Sequence, residues 1–76
     1  MTPHLPAVTS RQVVRAVLKL GFVLDRQSGS HAIYFRESDR RRVVVPAHPG
    51  KTIKPKTLLS IIGDMGINVD EFRGMI

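Results

Sequence analysis

Cysteine and tryptophan are absent from the 76 residues, and six Asp and Glu stand against twelve Lys and Arg. Without cysteine there is no disulfide staple, no thiolate nucleophile and no cysteine-ligated zinc, a composition that suits a reducing cytoplasm. No apolar run nears the ~20 residues a bilayer span needs. The first ten residues lack the charged segment followed by an apolar stretch that marks a secretory signal. A chain this short buries only ~60% of the surface it exposes when unfolded, so one domain and a shallow site are expected. The whole chain, 1–76, reads as that one domain, with residues 1–8 as a flexible arm that includes His4.

The scarcity of acid leaves a formal charge of +6, and it is unevenly spread. Residues 1–56 balance to +8 and residues 57–76 to −2. A field of that sign attracts polyanions, nucleic acid foremost among them, although a basic surface also serves solubility alone.

Thr9 followed three residues later by Gln12 forms a capping box, and Gly21 closes the helix it opens, over residues 10–20. Val13, Val14, Val17 and Leu20 gather on one side of that helix, with Arg11, Arg15 and Lys19 on the other. Phe22 to Gln27 is an extended segment, which Ser28-Gly29 turns back into Ser30 to Arg36. A second turn at Glu37-Ser38-Asp39 leads to Arg41 to Pro46, whose three valines favour a strand. Pro49 and Gly50 break the next stretch into a loop, and Pro55 suits the first position of a helix carrying Leu58, Leu59, Ile61, Ile62 and Met65. Gly66 ends it, and Asn68 with Glu71 caps a short last helix that carries Phe72 inward. The order α-β-β-β-α defines an α+β domain, a three-stranded antiparallel sheet with helices on one face and the other face open to a partner.

The three histidines, His4, His31 and His48, have no metal-motif spacing, and neither a Walker loop nor a nucleophile elbow is present. Neither metal nor cofactor is therefore expected, and acid–base chemistry by imidazole remains. His31 follows the Ser28-Gly29-Ser30 turn at a strand's end. There it can exchange a proton with a ribose hydroxyl or a leaving oxygen, or, sharing a face with Ile33 and Phe35, be a histidine at the core's edge. His48, Lys51 and Lys54 precede the second helix and read either as a phosphate cradle or as a turn with incidental charge. Arg40, Arg41 and Arg42 either follow a phosphate backbone or keep a hairpin end soluble. Phe35 is expected in the core, which leaves Tyr34 as the residue to stack a base.

Gly29-Ser30-His31 followed by Tyr34, and then Val45-Pro46-Ala47-His48-Pro49-Gly50-Lys51 with Ile53-Lys54-Pro55, resemble the HicA toxin family over nearly the whole chain. Lys56 departs from the glycine common there. The resemblance implies a fold like that of double-stranded-RNA-binding domains and a metal-independent endoribonuclease that cleaves mRNA. It makes His31 the catalytic residue, presented by Gly29 and Ser30, and implies an antitoxin of HicB type as partner. On the residues alone, a non-catalytic RNA-binding module and a protein that only meets an acidic partner remain alternatives.

Overall fold

A computed structural model describes residues 5–48 and 50–76. Helix α1 (Ser10–Lys19) starts where the chain leaves extended Thr9. The Gln12 N–H donates to Thr9 Oγ1 and the Thr9 N–H to Gln12 Oε1, at 3.4 and 2.9 Å, so two backbone donors at the helix start are satisfied reciprocally. Val13, Ala16 and Val17 face inward while Arg11, Arg15 and Lys19 face solvent. At the other end Arg36 donates to the Leu20 carbonyl at 2.8 Å, and its guanidinium carbon lies 4.4 Å from the centre of the Phe22 ring. One side chain thus closes the helix and covers a core aromatic.

Strands β1 (Val23–Ser28), β2 (His31–Arg36) and β3 (Arg41–Pro46) form an antiparallel sheet in that order, with an irregularity at Asp25. Helix α2 (Pro55–Met65) follows with Pro55 at its start and Gly66, at φ +80°, at its end; α3 (Val69–Arg73) completes the chain. A Cβ on Gly66 would meet the Arg41 guanidinium at 3.0 Å, so glycine there meets both a left-handed backbone and a close neighbour. Both α1 and α2 pack on β3, and the core lies between them and Ala32, Tyr34, Val43 and Val45. Among the described residues no helix is long and apolar enough to cross a membrane.

Opposed residues on neighbouring strands share a face, and the register therefore names the uncovered one. It consists of three rows: Val23–Phe35–Arg42, Arg26–Ile33–Val44 and Ser28–His31–Pro46. Here the structure corrects four expectations. Tyr34 is the buried residue, 7% exposed, and Phe35 lies half-buried on the open face. Pairing with β3 decides this: Val43 and Val45 put two branched side chains on the helix side, and Tyr34 lies opposite Val43. Leu59, expected in the apolar stripe of α2, is 42% exposed, a turn of ~100° away from Leu58. Phe22 precedes β1 and is a core residue. Finally, residues 5–8 are no arm. Val8 is 1% exposed, Leu5 packs against the core, and the Ile53 N–H donates to the Val8 carbonyl at 2.8 Å. The rest of that expected arm, with His4, lies outside the described residues.

Candidate functional site

The β1–β2 hairpin closes through two residues, Gly29 and Ser30. Only Gly29, at φ +57°, is left-handed, the pattern of a type II′ turn whose twist matches that of the strands it joins. The turn places His31 first in β2, exposed, on the uncovered face, between Ser28 on β1 and Pro46 on β3. The Ala47 N–H donates to the Ser30 carbonyl at 2.6 Å and ties the end of β3 to the turn. His31 is therefore held by backbone bonds on both sides while its ring meets solvent. This removes the alternative of a core-edge histidine: alternation groups it with Ile33 and Phe35, but that group faces away from the helices.

Pro46 connects His31 to a second feature. Where β3 ends, a shallow groove of about 220 Å³ is lined by Pro46, His48, Lys51, Thr52, Lys54 and Thr57, with Ile53 as its floor. The Lys51 N–H donates to the His48 carbonyl at 3.1 Å, a Thr9–Thr52 bridge pins the loop to the start of α1, and Ile53 is buried. Among the described residues no side chain caps the first turn of α2, and no acid stands in it. The groove therefore combines lysine charge, threonine hydroxyls and the positive end of a helix, an arrangement that suits an anion. The expected cradle of His48, Lys51 and Lys54 is brought together, although Pro49 lies outside the described residues.

The other candidates are placed differently. Tyr34 turns its ring to the helix side, where it borders a groove of about 240 Å³ with Arg11, Val14 and Gln27. Burial pushes its phenol above the ordinary value, so the group stays neutral, and the ring is closed to a base approaching the open face. The expected stacking role of Tyr34 is corrected accordingly. Arg40, Arg41 and Arg42 are not one cluster. Arg40 sits in the β2–β3 turn at φ +58°, and Arg41 points to the helix side, contacting Asp39 at 3.2 Å and the Asp64 carbonyl at 3.4 Å. Arg42 alone of the three stands on the open face beside Phe35.

Asp39 organises that turn. Its two oxygens accept from Arg36 Nε and Nη2 at 3.0 and 2.7 Å, and the hydrogen bonds hold its carboxyl at about 2, well below the ordinary range near 3.9. A carboxyl depressed on folding stabilises the protein above its unfolded value, and that contribution is lost as pH falls through about 2. In a carbon-detected NMR titration Asp39 should therefore still be ionised at pH 3, where an unbonded aspartate is mostly protonated. Asp39→Asn should remove this part of the acid dependence of stability.

Sequence reasoning missed Phe35, Ile33, Val44 and Arg26 as surface residues. The signal was the strand register, which sets a face only once β2 and β3 are paired.

The family model described as HicA toxin of bacterial toxin-antitoxin matches residues 10–67, which puts the chain among the small toxins of bacterial toxin–antitoxin pairs. The chain belongs to the HicA toxin family, and the matched span runs from α1 through His31 and the groove to the end of α2. No curated protein matches the chain in sequence.

Proposed function

We propose that this toxin is a metal-independent endoribonuclease that cleaves mRNA with His31 as general acid or base. The observation that carries the reading is the placement of His31: exposed at a hairpin end paired on both sides, with Pro46 joining it to the groove of Lys51 and Lys54. Cleavage by transesterification takes a proton from the ribose 2′-hydroxyl, whose oxygen attacks the adjacent phosphorus. The P–O5′ bond breaks and the 5′-oxygen takes up a proton, leaving a cyclic phosphate. An imidazole performs either transfer near neutral pH, and His48, which lines the groove, is a second imidazole to be tested. The lysines and the N–H groups of α2 hold the phosphate and stabilise its developing charge.

In the resting pair an antitoxin of HicB type covers His31 and offers acidic groups to the basic side, because complementary potentials speed encounter. The test is a denaturing gel of single-stranded RNA incubated with the purified protein in excess EDTA. Cleavage is expected, and intact RNA from folded protein overturns the reading in favour of a binding module. A second result follows from the groove. Lys51→Gln with Lys54→Gln should weaken RNA binding at all sequences alike and lower the slope of log K against log salt by about 1.4, as two lost contacts to a single strand require. Filter binding over a salt series reads this.

A further inference from the structure

The uncovered face of the sheet has a chemistry of its own. It places Phe35 and Ile33 in the middle strand, Val44 beside Ile33, and one arginine on each edge strand, Arg42 opposite Phe35 and Arg26 opposite Ile33. Both arginines are exposed, and among the described residues no carboxylate lies within ion-pair distance of either. No acidic residue is paired in any of the three rows; the nearest in sequence, exposed Asp25, stands unpaired in the irregularity of β1 next to Arg26. His31 ends the middle column, four residues from Phe35, or ~13 Å along the strand.

We propose that this face is a platform for single-stranded RNA, on which Phe35 stacks a base while Arg26 and Arg42 hold the flanking phosphates. The proposal rests on the ribonuclease reading and names the form of RNA that site takes. An aromatic ring with arginines on either side is the arrangement that grips an unpaired strand, whose bases offer their π faces to any flat ring. A duplex keeps those faces stacked inside and would meet the platform only through its backbone. The strip is also continuous with the site: from Phe35 the column leads through Ile33 to His31, and from there through Pro46 into the groove of Lys51 and Lys54. A strand laid along it meets a base-binding ring, then the imidazole, then a phosphate cradle. Because ~13 Å of strand separates the positions of Phe35 and His31, the stacked base is not the one whose phosphate is cut, and Phe35 acts on binding rather than on the chemical step.

The probe is a fluorescein-labelled 2′-O-methyl oligouridine, which has no free 2′-hydroxyl and is not cleaved. Binding is followed by anisotropy. Phe35→Ala is expected to weaken it ~5- to ~150-fold. Phe35→Trp should restore it, and Phe35→Leu, which keeps the apolar bulk, should not. A thermal melt of each variant reports folding separately. Parent-like affinity in Phe35→Ala overturns the proposal, as does a duplex of equal length binding more tightly than the single strand. Since the probe cannot be cut, a protein without nuclease activity still gives a full answer here, and failure of the platform leaves the EDTA cleavage result untouched.

Discussion

Replacing His31 by alanine should lower the rate of RNA cleavage by ~10²- to 10⁴-fold, the range that positioned proton transfer contributes. His31→Gln should fall as far, because an amide fills the space and hydrogen-bonds but does not titrate. The loss should not come from unfolding. The side chain is exposed at the start of β2, and its neighbours Ser28 and Pro46 are held by backbone pairing that alanine keeps. Substitutions at such positions change stability by less than ~0.5 kcal/mol. The melting midpoint of His31→Ala should therefore match the parent's, and its affinity for the uncleavable 2′-O-methyl probe should stay within a few-fold. Single-turnover kinetics at saturating protein separate these effects: the chemical step falls while binding does not. A variant that cuts at the parent's rate would take the chemistry away from His31 and direct attention to His48.

Local chemistry made most of the fold readable, and long-range pairing decided what was not. The capping boxes at Thr9–Gln12 and Asn68–Glu71 form as their spacing requires, and Pro55 and Gly66 bound α2 at the expected residues. The expected strand Arg41–Pro46 has the observed limits. Alternation correctly grouped His31 with Ile33 and Phe35, yet a period of two says only that residues share a side, never which side the helices cover. That choice falls to β3, where Val43 and Val45 carry Tyr34 with them into the core. The more apolar ring of Phe35 suggested the reverse. Consecutive arginines misled for the same reason: Arg41 and Arg42 lie on opposite faces of a strand, so nearness in sequence is separation in space. Val8 was illegible because nothing periodic surrounds it; it is held by a backbone bond to Ile53, across the whole of α1 and the whole sheet.

The C-terminal helix lies past residue 67, where the family match ends, yet removing its aromatic side chain should do the most damage to the fold. Helix α3 has five residues, too few to be stable in isolation. It is held by its cap, in which Asn68 N–H donates to Glu71 at 3.0 Å and Glu71 N–H to Asn68 at 2.8 Å, and by Phe72, which is 0% exposed. Lys19 at the end of α1 also donates to the Met75 carbonyl at 3.3 Å. Phe72→Ala should cost ~3–5 kcal/mol through lost burial and the cavity left behind. Small domains have little to lose: stability is ~5–15 kcal/mol in general, with a core this size toward the lower end. A loss of that size should lower the melting midpoint by ~12 °C or more in a circular dichroism melt. Phe72 belongs to the core and His31 to the opposite, uncovered face, so cleavage per folded molecule should be unchanged and total activity should track the folded fraction as temperature rises. A shift of only a few degrees would show that α3 is an appendage and that the core closes without it. A variant that melts like the parent but cleaves slowly would instead connect the two faces of the sheet.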